Sequence, residues 1–383
     1  MRHDHALLAI AMLLILAISG CGRSTVSAKP PIVVAFDVDA GTDPKTGDNQ
    51  STIDVYSQAA GRRCITSRKL KASIVGYEAA SDTWILQSND GIYYYPSGLW
   101  KLHRGKVEPI SIAPIEVTVQ VEYDAASNIY TLKGDPFTTV EFPNRPPKLD
   151  RDSTQHLTSA QMPADETVLD PQQTAGVLSL CFVSDGMLVV CGYNLNGTVR
   201  SKRCLRVPHR YILDCLDKVS TTRGGCVAAS LVMRNTKRSE LCIFDRHGRL
   251  TDDMTNGTDP IYSPDGRRLA YTDCRVNRTK PGEQTVDGDA GTIIIYDPAT
   301  KARKTIRAGT PPGLAGIFSG LSCYRWAPDG QRLVCAFTQG EFAEESLYVV
   351  DISAAKPKWK KLPVQVYGTA WTVLRTMPPS QPK

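Results

Sequence analysis

Residues 258–306 carry the clearest structural pattern in the sequence. They open with Thr-Asp-Pro-Ile-Tyr-Ser-Pro-Asp-Gly-Arg-Arg-Leu-Ala-Tyr-Thr-Asp (258–273). Within this stretch, Pro264, Asp265 and Gly266 form a turn signal. Proline presets φ at the first central position, aspartate suits the second, and glycine accepts a positive φ. A turn this short predicts a hairpin between a strand that ends at residues 261–262 and one at residues 269–271.

Two more strands are predicted in the same stretch, which closes with Gly-Thr-Ile-Ile-Ile-Tyr-Asp-Pro-Ala-Thr-Lys-Ala-Arg-Lys-Thr-Ile (291–306). The run Thr292–Tyr296 is apolar and rich in Ile, as is typical of a strand buried on both faces. Residues 297–300 then favour a turn, and residues 303–306 a short outer strand. The whole stretch therefore predicts one four-stranded antiparallel sheet.

The same unit recurs further along the chain. Residues 324–335 read Tyr-Arg-Trp-Ala-Pro-Asp-Gly-Gln-Arg-Leu-Val-Cys, with Pro328, Asp329 and Gly330 in the turn. Residues 346–351 repeat the apolar strand that closes on aspartate, and its Asp351 lies 54 residues after Asp297. Two matched copies at this period indicate a repeat protein of the propeller type.

These two copies resemble the repeat of the TolB-type β-propeller family. The shared pattern is an aromatic residue, Ser or Ala, Pro-Asp-Gly, a short apolar strand and a later apolar strand that ends in Asp. The resemblance covers residues 258–362. It implies a β-propeller fold and a tendency to bind protein, and we carry no functional residue over from the family.

Weaker copies of the unit precede the strong ones and predict an all-β chain of about seven four-stranded blades. Six blades is the alternative, because the propeller of TolB has six. We expect the propeller to span residues 32–376, with a loop insertion at residues 144–173 and a disordered tail at residues 377–383. The apolar residues 366–374 predict a last strand that completes the first blade, since joining the termini removes exposed sheet edges.

Residues 1–20 resemble a bacterial lipoprotein signal peptide. A short basic start precedes thirteen apolar residues at 6–18, too few to span a membrane as a helix. Ile18-Ser19-Gly20-Cys21 follows, and the resemblance implies that the Cys21 thiol carries diacylglycerol, with further acyl chains such as palmitate anchoring it stably. An ordinary signal peptide with a chance cysteine is the alternative.

Residues 21–31 would then be a lipid-anchored tether. In the lipoproteins of enterobacteria, aspartate at the position of Gly22 favours retention in the inner membrane. Glycine there favours the outer membrane, so the resemblance implies a chain anchored in the bacterial envelope and facing the periplasm.

The ten other cysteines form an even set, which in an exported chain suggests disulfides. Hairpin spacing suggests Cys181 with Cys191, Cys323 with Cys335, Cys204 with Cys215, and Cys226 with Cys242, leaving Cys64 and Cys274. Other connectivities stay open, as does the alternative that several are small buried hydrophobic residues. No Cys-x-x-Cys motif occurs, which argues against zinc ribbons and thioredoxin-like redox sites.

No catalytic, metal or cofactor signature is present. The sequence contains neither G-x-S-x-G nor H-E-x-x-H, and the six turn residues of the two strong repeats have a structural explanation. We therefore expect no catalytic residues, no metal and no cofactor, and the chain is more readily interpreted as a non-enzyme.

The formal net charge is +6, and Lys and Arg cluster at residues 62–63, 68–71, 200–206, 267–268 and 356–361. Charge scattered over a chain in this way usually solubilises its surface, although attraction to anionic lipid or polymer stays open. Nucleic acid is an unsuitable partner for an envelope protein, and we expect a monomer. Three functions remain. The favoured one is a non-catalytic module that binds a protein or cell-wall partner. The alternatives are an envelope-polymer hydrolase or lyase with its site on the propeller face, and a purely structural envelope component.

Overall fold

The computed structural model describes residues 29–42, 49–66, 72–88, 99–111, 116–135, 140–143, 154–158, 169–174, 177–184, 187–205, 207–208, 210–212, 218–233, 235–236, 238–273, 277–280, 283–285, 292–307, 319–339, 345–366, 371–375 and 377–378. Every regular element in these ranges is a β-strand. They contain no helix with the length and apolarity needed to cross a membrane. The chain divides into the units Met1–Pro31 and Ile32–Lys383, and the strands of the described residues belong to the second.

The strands are, in chain order, β1 (Val33–Thr42), β2 (Asn49–Ser57), β3 (Gly61–Cys64), β4 (Ala72–Glu78), β5 (Thr83–Ser88), β6 (Leu99–His103), β7 (Lys106–Pro109), β8 (Glu116–Asp124), β9 (Ile129–Asp135), β10 (Val140–Pro143), β11 (Thr154–Thr158), β12 (Leu169–Thr174), β13 (Val177–Ser184), β14 (Met187–Asn194), β15 (Val199–Leu205), β16 (Tyr211–Ile212), β17 (Val219–Thr221), β18 (Val227–Met233), β19 (Ser239–Phe244), β20 (Leu250–Thr255), β21 (Gly257–Tyr262), β22 (Leu269–Asp273), β23 (Asn277–Lys280), β24 (Glu283–Thr285), β25 (Thr292–Tyr296), β26 (Arg303–Arg307), β27 (Ser319–Trp326), β28 (Arg332–Gln339), β29 (Glu345–Asp351), β30 (Trp359–Val366) and β31 (Trp371–Leu374).

Within the described ranges these strands form seven antiparallel sheets of four or five strands and one two-stranded ribbon. We number the sheets along the chain. Sheet 1 has the order β31-β1-β2-β3, sheet 2 is β4-β5-β6-β7, and sheet 3 is β11-β8-β9-β10. Sheet 4 is β12-β13-β14-β15. Sheet 5 is β18-β19-β20, and β16 and β17 lie end to end along the free edge of β18. Sheet 6 is β21-β22-β25-β26, sheet 7 is β27-β28-β29-β30, and β23-β24 is the ribbon.

Five hydrophobic cores of the described residues each lie between two sheets that pack face to face. Sheet 1 illustrates this, because neighbouring residues of β1 face opposite sides. Val34 joins Trp371 in the core against sheet 7, whereas Val33 joins Trp84 in the core against sheet 2. Three further cores lie between sheets 4 and 5, sheets 5 and 6, and sheets 6 and 7. A middle strand is therefore buried on both faces, as in β29.

The first strands of six sheets contact one another in a closed cycle. Strand β31 contacts β4, β4 contacts β12, and β12 contacts β17. The cycle continues through β21 and β27 and returns to β31. The closing member comes from the carboxyl end of the chain, since β31 pairs with residues 33–36 of β1. This pairing confirms the predicted completion of the first sheet, although Val366 belongs to β30 and the last strand starts at Trp371.

Both repeat hairpins that decide the fold are present. In the first, the amide of Ser263 donates to the carbonyl of Arg268 at 2.8 Å, and Gly266 has a φ of 71°. In the second, the amide of Gly330 donates to the carbonyl of Ala327 at 2.9 Å, and φ is 62°. The positive φ values explain why glycine occupies this position in both copies. The predicted strand Thr292–Tyr296 has those bounds.

The expected loop insertion at residues 144–173 is wrong in part, because two strands lie there. Strand β11 adds to the free edge of β8, and β12 pairs with β13. The polar, proline-containing sequence hid β12. Its pairing is irregular between Leu169 and Gln172, and such a bulge accommodates Asp170-Pro171 on an edge strand. Of the expected disordered tail, Met377 packs on the core between sheets 1 and 2, and residues 379–383 lie outside the described residues.

The expected disulfides are not present among the described cysteines. Cys64, Cys191, Cys226, Cys242, Cys323 and Cys335 are all thiols. For Cys323 and Cys335 the register explains this. Cys323 lies opposite Ala336, and Cys335 lies opposite Tyr324. Adjacent positions on a strand face opposite sides of the sheet, so the two thiols belong to different cores.

For the other suggested pairs, either the strand register does not place the two cysteines opposite each other or a side chain lies outside the described residues. Cys191 lies opposite Leu180, one position away from Cys181, and Cys242 lies opposite Ala229 rather than Cys226. The side chains of Cys181, Cys204, Cys215 and Cys274 lie outside the described residues. The alternative that several cysteines are buried hydrophobic residues fits Cys242 and Cys335, whose thiol pKa values are raised by burial.

The first prediction concerns these thiols. Treatment of the native protein with a maleimide at pH 9, followed by peptide mass spectrometry, should label exposed Cys64. Labelling of Cys242, Cys323 and Cys335 should require denaturant, because they are buried. Alkaline pH is needed because partial burial and Asp54 raise the pKa of Cys64. A peptide containing Cys323 linked to Cys335 in an unreduced digest would contradict the fold described here.

The second prediction concerns closure of the first sheet. Trp371 is 1% exposed in the core between sheets 7 and 1. Substitution Trp371→Ala should lower the free energy of unfolding by about 3–5 kcal/mol, the cost of deleting a buried aromatic ring. Denaturant unfolding followed by circular dichroism measures it. The matched control is Trp359→Ala on the outer strand β30, where the partly buried ring predicts a smaller loss. Equal losses would argue against a central role for β31.

Candidate functional site

A cavity of about 470 Å³ opens where the first strands of five sheets converge. Strands β4, β17, β21, β27 and β31 line it, together with the turns that follow β21 and β27. Because these are edge strands, their backbone groups face the cavity rather than another strand. The cavity is therefore built by the cycle of contacts that closes the fold.

Bulges shape the lining strands. The pairing of β4 shifts between Ile74 and Gly76, that of β21 between Thr258 and Ile261, and that of β27 between Leu321 and Cys323. A bulge leaves a residue outside the ladder and redirects its side chain. In β21 the extra residues are Asp-Pro, the same dipeptide found at the bulge of β12, and proline is tolerated there because it need not donate to the ladder.

Asp259 is the polar centre of the lining. It has a φ of 53°, an uncommon value for a residue with a side chain. Its Oδ1 lies 2.6 Å from Nζ of Lys218, next to β17. Its backbone carbonyl accepts a hydrogen bond from the hydroxyl of Tyr324 on β27. Asp259 thus joins three consecutive sheets at the cavity.

The ion pair orders the lining more than it stabilises the fold. The side chains of Lys218 and Asp259 are 28% and 36% exposed, and pairs with this access to water contribute about 1 kcal/mol or less. Both groups therefore keep enough exposure to meet a ligand. Neither residue carried a functional signal in the sequence. The Asp-Pro dipeptide within a strand was the one available clue.

Aromatic and cationic side chains also line the cavity. The guanidinium of Arg325 lies 5.6 Å from the ring centre of Trp371, and its Nη1 donates to the Tyr324 carbonyl at 3.1 Å. Trp326 donates through Nε1 to the Ile261 carbonyl at 2.9 Å. Burial, with Asp82 as hydrogen-bond partner, raises the pKa of Tyr77, so this phenol stays protonated. These groups suit contact with a polar or aromatic ligand.

The predicted turn residues mark one end of the cavity. Pro264 and Pro328 line it. Arg268, which lies 5.5 Å over the ring of Trp326, donates to the carbonyl of Gly330 in the neighbouring sheet. The repeat turns are therefore both hairpin connections and the lip of the cavity.

The two turn carboxylates are structural. Asp265 Oδ1 accepts from the Ser263 hydroxyl at 2.6 Å and the Arg267 amide at 3.1 Å. Partial burial alone would raise its pKa, but these hydrogen bonds lower it. Asp329 accepts from the amide of Gln331 and from Nε of Arg332, at 2.8 and 2.6 Å. Each carboxylate is engaged by its own turn, so neither is a candidate proton donor.

The one thiol of the described lining, that of Cys323, is not an activated nucleophile. It is buried, and burial raises its pKa, so it remains protonated and unreactive. No histidine lies among the lining residues. Across the described part of the chain, no group of three or more His, Cys, Asp or Glu side chains is placed to hold a metal ion. The arrangement can bind a ligand by ion pairing, hydrogen bonding and stacking.

A second polar cluster lies in the core between sheets 4 and 5. The hydroxyl of Tyr211 donates to Oε2 of buried Glu240 at 2.7 Å and accepts from Nη2 of Arg210 at 3.0 Å. The neighbouring Cys242 has a pKa raised to about 12 by burial. Each polar group has a partner, which is typical of a structural network. Cys21, the predicted lipidation site, lies outside the described residues.

Comparisons with known proteins find solved structures that are similar to the chain and no family to which it can be assigned. No protein-family model and no curated protein matches the chain. TolB from Acinetobacter baumannii is similar over 89% of this chain, with 11% identity and a TM-score of 0.45. This chain spans 66% of that TolB chain, less than two thirds of its length.

Two further solved structures are similar to the chain. A protein of unknown function from Bacteroides caccae covers 91% of this chain and 100% of its own, at 9% identity and a TM-score of 0.42. A variant of the apocarotenoid oxygenase from Synechocystis is similar over 91% of this chain and 93% of its own. Its sequence identity is 9% and its TM-score is 0.42. The structural neighbours thus include TolB at low identity, and none of these similarities assigns an activity or a partner to the chain.

Proposed function

We propose that the chain is a lipid-anchored envelope protein whose β-propeller binds a partner through the central cavity. The observation that carries the proposal is the composition of that cavity. Its described lining offers a partly exposed ion pair, an arginine over a tryptophan ring, and aromatic and proline surfaces. Arginine and aromatic residues dominate the energetically important positions of protein interfaces.

The propeller in this proposal has six blades around the cavity. The support is the closed cycle of contacts through β31, β4, β12, β17, β21 and β27. Among the described residues, the strands of sheet 3 make their main contacts with one another and not with the strands of other sheets. We therefore interpret sheet 3 as an insertion between blades, which reduces the seven units counted from the sequence to the six-blade alternative.

The proposed partner is a protein or cell-wall segment that enters the cavity. A volume of about 470 Å³ accommodates a few side chains rather than a folded domain. The lip formed by Pro264 and Pro328 presents rigid apolar surface around the charged centre. Such a combination fits a short segment with apolar and polar groups in alternation.

Binding is favoured over catalysis for a chemical reason. General acid–base and nucleophilic catalysis need groups whose pKa values suit proton transfer near the working pH. Among the described lining residues, the thiol of Cys323 and the phenol of Tyr77 have pKa values raised by burial, away from neutrality. The charged groups that remain suit recognition.

The third prediction tests the cavity. The double substitution Lys218→Ala with Arg325→Ala should reduce cross-linked partner recovery from the native envelope at least roughly tenfold, since loss of one interface hot spot costs that much. The matched control is Lys101→Ala with Arg246→Ala, which removes two cations that do not line the cavity. An unchanged melting temperature shows that both variants fold.

Two results would overturn the binding proposal. One is equal partner recovery by the cavity variant and its control. The other is turnover of an envelope polymer by the purified protein without recovery of any partner, which would assign the cavity to an enzyme.

The fourth prediction tests the anchor. Substitution Cys21→Ala should move the protein from the membrane fraction to the soluble fraction, because it removes the thiol to which lipid is attached. Metabolic labelling with palmitate should mark the wild type and leave the variant unlabelled. A wild-type protein that never acquires the label would refute the lipid anchor and leave the cavity proposal standing.

A further inference from the structure

Strand β30, the outer strand of sheet 7, and the loop that precedes it are rich in lysine. We use the name lysine edge for Lys356, Lys358, Lys360 and Lys361, all of them exposed. Residues 352–366, which contain them, include no aspartate or glutamate. Within the described part of the chain, none of the four lysines forms an ion pair. The charges of Lys356, Lys358 and Lys360 are therefore directed to solvent.

Packing of β30 fixes which side of this segment faces out. The ring of Trp359 meets Phe337 edge to face, with ring centres 5.3 Å apart. Leu362, Val364 and Val366 are buried. The intervening positions point away from the core, and the preceding loop is held by Lys304, whose Nζ donates to the Ile352 and Ala354 carbonyls at 2.5 and 3.1 Å. The lysines thus project from an ordered support.

Protection of an edge strand explains only part of this arrangement. Lysines on an outer strand discourage pairing with another chain, and that accounts for Lys360 and Lys361. Lys356 and Lys358 precede the strand and lie in the loop between β29 and β30. Edge protection requires no charge there, so the loop lysines call for another explanation.

The lysine edge lies at the end of the domain where the chain enters. The amide of Gln58 donates to the Ile32 carbonyl at 3.3 Å, which places the entry beside the turn between β2 and β3. That turn joins the third and fourth strands of sheet 1, counted from the cavity. The loop with Lys356 and Lys358 joins the third and fourth strands of neighbouring sheet 7. In antiparallel sheets with aligned first strands, these turns lie at the same end.

We propose that the lysine edge docks this end of the domain onto an anionic lipid surface. This inference rests on the proposed lipid anchor, because the anchor is what would keep the domain close to the membrane. Ten residues separate Cys21 from Ile32, and an extended tether of that length reaches at most roughly 40 Å. Four unpaired lysines beside the point of attachment complement the phosphates of acidic phospholipids, and lysines near an anionic bilayer each strengthen attachment about fivefold at moderate ionic strength.

Docking would orient the cavity. The repeat turns with Pro264 and Pro328 form the lip at the same end as the lysine loop, so membrane contact on one flank would hold the lip close to the lipid surface. A partner segment entering from that end would then have to lie near the membrane.

The test uses the full chain carrying Cys21→Ser, so that acylation plays no part. Vesicle flotation compares phosphatidylcholine vesicles with vesicles containing 30% phosphatidylglycerol, at low salt and at 0.5 M NaCl. The test variant is Lys356→Gln with Lys358→Gln and Lys360→Gln. Lys361 is kept because its Nζ lies 6.0 Å from the ring centre of Tyr348 and contributes to packing.

The matched control is Arg238→Gln with Arg278→Gln and Lys280→Gln, which removes three charges from connections between second and third strands, at the opposite end of their sheets. Because all variants share the same apolar amino terminus, only the difference between the two vesicle types is compared. The unsubstituted lysine edge and the control should bind anionic vesicles at least tenfold more tightly than neutral ones. The test variant should lose most of that preference, and high salt should abolish it in all proteins.

Two outcomes would overturn the proposal. One is a test variant that keeps the same preference for anionic vesicles as the control. The other is lysine-dependent binding to soluble polyphosphate without any preference for anionic vesicles, which would assign the lysine edge to an anionic polymer. Neither outcome depends on whether Cys21 is acylated, so failure here is distinct from failure of the anchor.

Discussion

The pairing of strand β31 with strand β1 closes the cycle of sheets and completes the first of them. Strand β31 supplies the cavity-side strand of sheet 1, and residues 33–36 pair with it in antiparallel register. Without β31, β1 would expose an unpaired edge to the cavity, and the core containing Val34 and Trp371 would lose its largest side chain. Two segments more than 330 residues apart thus have to meet before the cycle of sheets can close.

Closure also creates the candidate site. Each sheet in the cycle turns its first strand toward the centre, and the bulges in β4, β21 and β27 redirect residues at that edge. Asp259 is the clearest result, since it links Lys218 and Tyr324 from the two flanking sheets. The same topology brings the lysine loop and the chain entry to one end. The architecture therefore places the cavity lip, the lysine loop and the chain entry at one end of the sheets, which is the arrangement that both proposals use.

The repeats could be predicted from the residues of their turns. The contacts between distant strands and sheets could not. Pro-Asp-Gly at residues 264–266 and 328–330 identified both hairpins, because turn residues act through their own φ values. The disulfides predicted from cysteine spacing were wrong for the described cysteines. The number of residues between two cysteines does not tell which face of a sheet each one occupies, and Cys323 and Cys335 occupy opposite faces. Strand β12 was hidden by its polar sequence, and the pairing of Lys218 with Asp259 depends on contacts between sheets.

Hydrogen exchange at strand β31 tests whether the two termini close the fold. The amides of Trp371–Leu374 that face β1 and those of residues 33–36 that face β31 should be strongly protected. They should also exchange together, through unfolding of the whole domain, because each set supplies the other's hydrogen bonds. Exchange of residues 371–374 within seconds, at the rate of an unstructured segment and while the middle strand β29 stays protected, would contradict closure of the fold by its two termini.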